Sequence, residues 1–385
     1  MGSKVFFMDD RATTFQDSLV AKTLALFETA GFADMIRPHD VVAIKMHMGE
    51  WNNTAYLRPV YARALVDRIK SLGGVPFVTD TTTMPYNVWS SRVSALDHLN
   101  TDERNGFNSG TVGCPVIIAD GFMGTDDVHV DLPEGLVLKE AWVATAIALA
   151  DVVIMLSHFK GHGVGVVGGA IKNLGVGCAS KRGKFNLHGC GDPRYSLASS
   201  IFHPEKCRGR ECPTWQLCDS VCAFDAFHIT EGGPVFDREK CRSCFSHRST
   251  VTCGALQPPQ DWGEANPAAI ADAALGALKA LGHRRIGFIN LAIDVAPMCD
   301  CLGWSDRPIV PNIGVFASKD PVAIDTACLD AVTAAPGVPG SVAELKGVDA
   351  RGAIKHDKCS SLVGASQFIQ VKAGQKNGQI GRAHV

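Results

Sequence analysis

The chain has almost no imbalance of charge: 37 lysines and arginines against 39 aspartates and glutamates leave a formal net charge of -2. A polybasic footprint is missing, which argues against nucleic acid and anionic membrane as partners. Long apolar runs are missing as well. No stretch offers the roughly 18 uninterrupted apolar residues of a membrane helix, and the opening segment MGSKVFFMDDRATTF lacks the apolar core of a secretory signal. There is no G-x-x-x-x-G-K-[ST] phosphate loop, and the glycine spacing does not make a dinucleotide fingerprint. The expectation left standing is a soluble cytoplasmic protein, 46% hydrophobic and large enough to bury a substantial core.

Cysteine, by contrast, is plentiful. Fourteen cysteines in a chain of 385 residues with no leader suit metal or redox chemistry in a reducing, anaerobic cytoplasm better than a disulfide framework. Seven of them lie between Cys207 and Cys253. Iron-sulfur clusters are held by runs of the form C-x2-C-x2-C-x3-C, in which the fourth cysteine ligates the cluster of the other run. The first half here is Cys207, Cys212, Cys218 and Cys222, with widened inner gaps and the closing step kept; the second opens with Cys241 and Cys244 and closes at Cys253. Read crosswise, Cys207, Cys212, Cys218 and Cys253 make a complete ligand set for one 4Fe-4S cluster. Cys222, Cys241 and Cys244 are what remains for a second cluster, with His247 where a cysteine would fall, so that set is incomplete. Zinc, which also accepts Cys and Cys/His sets, stays open as the alternative, as does an insert that holds nothing.

Around this segment short β-branched runs alternate with helical patterns. Residues 41–46, 76–79, 115–119 and 152–156 predict buried strands, and so do 285–293 and 309–317. Residues 57–74 predict a helix with Val60, Ala64, Leu65, Ile69 and Leu72 at helical spacing, ending at a glycine pair. A shorter apolar helix is expected over 142–150, another over 266–282, and a last one over 320–335 with Asp320 as N-cap and Pro321 at N1. Residues 128–138, alternating around LPEG, predict a hairpin at the sheet margin. The pattern reads as an α/β fold, a mainly parallel sheet flanked by helices and interrupted by a small ferredoxin-like, cysteine-rich insert. The expected division is 1–198 and 259–378 for the two parts of the α/β domain and 199–258 for the insert. Residues 379–385 are expected to be a non-native tail, since IGRAHV is what one reading frame of a sequencing adapter encodes.

Ligands of such sheets collect beyond the carboxyl ends of the strands. There the sequence places Lys45, His47 and Glu50, then Asp80 and Thr81, then Asp120, and finally a glycine-rich run with Ser157, His158, Lys160, His162, Lys172, Asn173, Cys178, Lys184 and His188. Glycines let backbone N-H groups converge on an anion, and Lys160, Lys172, Lys181 and Lys184 add positive charge, so a small acidic or phosphorylated ligand is expected. His158, Lys160, His162 and Lys172 are the candidate catalytic residues. Lys45, His47, Asp80, Asn173, His188 and Asp306 are the candidate substrate contacts. Against this, the glycines can simply serve turns, and a histidine after a strand is often a satisfied hydrogen-bonder. Cys299 and Cys301 form a C-x-C pair beside Asp294, Asp300 and Asp306, open both to a metal or redox role and to loop packing. Cys178 and Cys190 are secondary candidates as ligands or nucleophiles.

LSHFKGHGVGVVGGAIKNLGVGCASKRGK, VAIKMHMGE, YLRPV, VTDT and CDCLGWSDRPIVPNIGVFASKDPVAID, with the ferredoxin-like insert between them, resemble the domain of unknown function 362 family from about residue 4 to about residue 378. The resemblance implies an iron-sulfur protein with two regular ferredoxin motifs at the insert, a pattern from which this chain departs, and it implies no particular reaction. Two classes of function follow. One is a reductase-type enzyme whose cluster feeds electrons to a small anionic substrate or cofactor in the α/β domain. The other is a non-catalytic electron carrier, working with a redox partner protein, or a zinc-binding module; a non-redox enzyme merely stabilised by the insert is a third reading.

Overall fold

A computed structural model of the chain describes residues 3–85, 90–162, 166–192, 201–213, 215–220, 222, 225–241, 255–257, 262–282 and 284–339. Seven strands form its main sheet: β1 (Val5–Asp9), β2 (Val41–Lys45), β3 (Val75–Asp80), β4 (Val116–Ile118), β5 (Val152–His158), β6 (Arg285–Ala292) and β7 (Gly314–Ser318). Their order across the sheet is β1-β7-β6-β5-β2-β3-β4. The four ladders from β6 to β4 are parallel. Strand β7 alone is reversed, antiparallel to both β6 and β1. The mainly parallel α/β expectation is met.

Both faces of the sheet are covered, which is why its strands read as continuous apolar runs rather than alternating ones. Val42, Ile44, Val152, Ile154 and Leu156 face the helices Leu19–Thr29 and Pro59–Ser71. Ala43, Val153 and Met155 face the opposite core with Ile171 and Leu174 from Ala170–Gly175, Ile270 and Leu275 from Trp262–Leu281, and Ile324 from Pro321–Ala334. Asp320 caps this last helix, accepting from the N-H groups of Val322 at 2.9 Å and Ala323 at 3.1 Å, with Pro321 at the first helical position as expected.

Several boundaries differ from the sequence reading. The helix over 59–71 buries Tyr61, Ala62, Leu65, Val66 and Ile69, whereas Val60 points to solvent. Residues 142–150 are not one helix: Glu140–Ala144 is a strand and only Thr145–Ala148 turns helical. The reason is a nearby partner, since Asp127–Asp131 pairs antiparallel with Glu140–Ala144 and thereby buries Ala141 and Val143. The hairpin is therefore wider than 128–138, and residues 136–138 belong to its connection, where their N-H groups donate to the Asp272 carboxylate. Residues 309–313 run as loop before β7, and β1, an edge strand with no periodic signal, was not anticipated.

Within the cysteine-rich segment, Ile201–Phe202 pairs with Leu256–Gln257 and Phe227–Thr230 pairs with Gly233–Phe236, both antiparallel. Cys218, on the helix Trp215–Ser220, is buried with Phe227 and Ile229, and Cys207 and Cys222 pack against them. Cys244, His247 and Cys253 lie outside the described residues, as does the tail, so neither crossed ligand set is fully in view.

Ile154→Ala, at a fully buried position in the central strand β5, should cost about 2–5 kcal/mol in chemical denaturation, while the exposed Val60→Ala should stay within about 0.5 kcal/mol.

Candidate functional site

Because β2 to β6 run parallel, their carboxyl ends deliver side chains to one edge. Lys45 ends β2 and is buried; its Nζ lies 2.9 Å from Asp80 Oδ1 at the end of β3 and donates to Asn173 Oδ1 at 2.9 Å. Asn173 in turn donates to the Lys45 carbonyl at 3.2 Å and to Ser157 Oγ at 3.0 Å. Four residues singled out from the sequence, Lys45, Asp80, Ser157 and Asn173, thus form one bonded group. Arg92 extends it, 3.2 Å from Glu50 and 3.8 Å from Asp80, and so does His98, 3.7 Å from Asp80 and 2.9 Å from Asp102. Burial alone would raise the Asp80 carboxyl, but Lys45 and His98 outweigh it and hold the group well below the usual range. Burial opposes protonation of His98, yet Asp102 and Asp80 lift it to about 9. Sequence reading missed Arg92 and His98 because neither follows a strand; the His98–Asp102 spacing on one helix was their one local trace.

A second group gathers around the loop after β6. His158 is closed on both sides, Nδ1 lying 3.0 Å from Asp300 Oδ2 and Nε2 2.7 Å from the Ile293 carbonyl, so neither ring nitrogen is left for a ligand. Lys160 Nζ lies 3.4 Å from the same Asp300 carboxylate. Burial raises the Asp300 carboxyl, but His158 and Lys160 outweigh it and hold it at about 2. Lys160 likewise stays above its ordinary value, burial being outweighed by Asp300 and the neighbouring cysteines.

On either side of Asp300 stand Cys299 and Cys301. Their sulfurs and a ring nitrogen of His162 all lie within 4.8 Å of one another, with Cys301 Sγ 4.0 Å from His162 Nε2. Lys172 Nζ approaches Cys299 Sγ at 3.8 Å, and the Cys301 N-H points at that sulfur from 3.3 Å. Burial disfavours a thiolate at Cys299, but the Cys301 thiol, Lys160 and Lys172 overcome it and push the group well below an ordinary thiol; Cys301 moves upward as the protonated partner. His162 is pushed down to about 4 by burial and Lys172, and His188 to about 3 by burial and by the charges of His162, Lys172 and Lys184. His47 is held well below its ordinary value, by burial first and then Arg92, and its Nδ1 accepts the Gly49 N-H at 2.9 Å.

Among the remaining candidates, Asp306 stands apart, half-buried with its carboxylate accepting the Arg307 N-H at 2.8 Å. Cys178 is buried, and burial pushes its thiol up to about 11, which makes it an unactivated packing residue rather than a nucleophile. Lys184 is buried and bonds Thr81 Oγ1 and the Ala179 carbonyl, and burial draws its pKa down to about 8.

The family model for the domain of unknown function (DUF362) matches residues 42–330. The chain belongs to this family. It is a cysteine-rich member with a His/Cys group able to hold a metal. No curated protein matches it. A Thermotoga maritima protein solved by a structural genomics consortium is similar at 11% identity and a TM-score of 0.44, over 85% of this chain and 60% of that one. The lactate racemase apoprotein of Thermoanaerobacterium thermosaccharolyticum gives 12% identity and a TM-score of 0.41, over 83% of this chain and 56% of that one. The chain therefore spans less than two thirds of the length of either. Among the described residues no helix is long and apolar enough to cross a membrane.

The depressed pKa of Lys184 sets a pH dependence. Its protonated form is disfavoured in the fold, so the stability tied to the neutral amine is present above the ordinary 10.5 and is lost as pH falls through about 8. Relative to Lys184→Met, the unsubstituted protein should lose up to about 3 kcal/mol between pH 10 and pH 7 in parallel denaturant titrations; a difference that does not change with pH contradicts this.

Proposed function

We propose that the protein is a reductase-type enzyme: a small anionic substrate or cofactor binds at the carboxyl edge of the sheet, and electrons come from an iron-sulfur cluster in the insert. One observation carries the anion site. Among the described residues Lys45 and Lys160 each have a carboxylate partner, whereas neither Lys172 nor Lys184 has one within 4.0 Å, although Lys184 is buried. A buried cation without a counter-ion is costly, and a bound anion offsets that cost. The two lysines serve one region, since both charges bear on His188. His162 and His188, neutral at neutral pH, are then hydrogen-bond partners for the ligand, and the thiolate of Cys299 borders the same space.

The insert supports the electron source. Sulfur atoms of Cys207 and Cys222 accept backbone N-H groups from Gly209 at 3.4 Å and Ala226 at 3.2 Å, the kind of contact that stabilises thiolate ligands, and Cys218 is buried beside them. Cys207, Cys212 and Cys218 would hold a 4Fe-4S cluster together with Cys253, and when bound it supplies electrons one at a time. A redox partner protein to reload it, and a reducing cytoplasm, belong to the same reading.

Anaerobically purified protein should contain iron and acid-labile sulfide in equal amounts, and Cys212→Ser should remove both along with the visible absorbance; zinc in place of iron would overturn the electron source. Lys172→Met should weaken binding of phosphate and malonate probes about 10- to 100-fold in low-salt calorimetry, with the difference shrinking as salt is added. Equal affinities for the two proteins would remove the anion site.

A further inference from the structure

We propose that His162, Cys299 and Cys301 form a second metal site, separate from the insert, that takes one zinc-class divalent cation and leaves a fourth coordination position open to the anionic ligand. Two sulfurs and an imidazole nitrogen are a soft donor set that selects zinc over magnesium or calcium, and three protein ligands rather than four are the arrangement of catalytic zinc. Tetrahedral zinc, with Zn–S of about 2.3 Å and Zn–N of about 2.0 Å, needs sulfur and nitrogen about 3.5 Å apart and the sulfurs about 3.8 Å apart. The observed 4.0 Å from Cys301 Sγ to His162 Nε2 exceeds the zinc separation by about 0.5 Å, and all three ligand atoms lie inside 4.8 Å, so the side chains must close slightly on the ion.

The surroundings hold these ligands in place. Between the two cysteines, Asp300 turns the other way and is fixed by His158, Lys160 and, through its carbonyl, the Glu50 N-H at 2.8 Å, so its neighbours project together. Gly161, next to His162, donates to the Ala296 carbonyl at 2.9 Å, and a Cβ there would stand 2.1 Å from the Pro297 oxygen. Only glycine lets the His162 strand lie this close to the cysteine loop. Two further contacts match the outer shell of a thiolate-ligated metal: the Cys301 N-H and the Lys172 ammonium both face Cys299 Sγ. Lys172, 3.8 Å from Cys299 Sγ, stands where it can hold one oxygen of an anion whose other oxygen completes the metal's coordination.

This site stands or falls independently of the insert. Full-length protein is reduced, freed of labile metal and titrated with Co2+ and then Zn2+, comparing the unsubstituted chain with Cys301→Ser, His162→Gln and Cys212→Ser. The expected result is a thiolate-to-cobalt charge-transfer band displaced by Zn2+, with one equivalent of zinc lost and affinity lowered at least about 100-fold in the first two variants. Cys212→Ser should retain it. Should the site variants fail to fold, zinc-edge absorption on Cys212→Ser protein still decides the matter, through a shell of two sulfurs and one nitrogen. Zinc binding unchanged by Cys301→Ser and His162→Gln, a four-sulfur shell, or recovery of Cys299 and Cys301 as a disulfide from reduced protein would overturn the proposal. Absence of iron from the insert would refute the electron source and leave this site intact.

Discussion

The carboxylate of Asp300 holds the working edge of this molecule together. Buried between His158 and Lys160, it ties the loop after β6 to the end of β5, and its carbonyl takes the Glu50 N-H from the segment after β2. Three strand ends are thereby locked through one residue. Removing a single partner from such a buried pair strands the others without compensation, at a cost of about 3–5 kcal/mol. Cys299 and Cys301 owe their common orientation to this anchor, and so does the position of the Cys299 sulfur relative to Lys160 and Lys172.

The edge divides electrostatically into two halves. On the β3 side, Lys45, Arg92 and His98 meet Asp80, Glu50 and Asp102, cation for anion, in a network of buried groups. On the β5 and β6 side the single carboxylate of Asp300 answers Lys160 and His158, and Lys172 and Lys184 have no carboxylate of their own among the described residues. Charge balance on that side leaves little net field for a charged ligand, although Asp80 Oδ2, His98 Nε2 and Asp102 Oδ1 keep no hydrogen-bond partner among the described residues. The other half carries the excess positive charge, the neutral imidazoles and the activated sulfur, and on the proposed reading it is where an incoming anion gains most.

Much of this was legible because strand ends are local features. Lys45, Asp80 and His158 each follow an apolar run, and parallel topology then brings them to one edge whatever lies between. The partners that decide their roles are not local. His158 reads as a free histidine after a strand until Asp300, 142 residues later, closes it. A C-x-C pair says little until its third partner is known, and His162 lies 139 residues before Cys301. The 142–150 segment departs from its helical pattern for the same reason on a smaller scale: its helical composition yields to a strand partner that periodicity within the segment cannot show.

The glycine-rich run has a different use from the one its composition suggests. Backbone N-H groups converging on an anion were expected, and at the start of the helix Ala170–Gly175 they do converge: Ala170 and Ile171 donate at 2.7 Å and 2.8 Å. The anion is the protein's own Asp325, whose carboxylate is also bonded by Asn290 and which burial raises to about 6. Gly169 makes room for it, since a Cβ there would meet the carboxylate at 2.4 Å. That backbone cradle is therefore filled from within. On the proposed reading, recognition of an external anion passes to side chains, above all Lys172 and Lys184, and such a ligand is read by charge and donor atoms rather than by the shape of a phosphate loop.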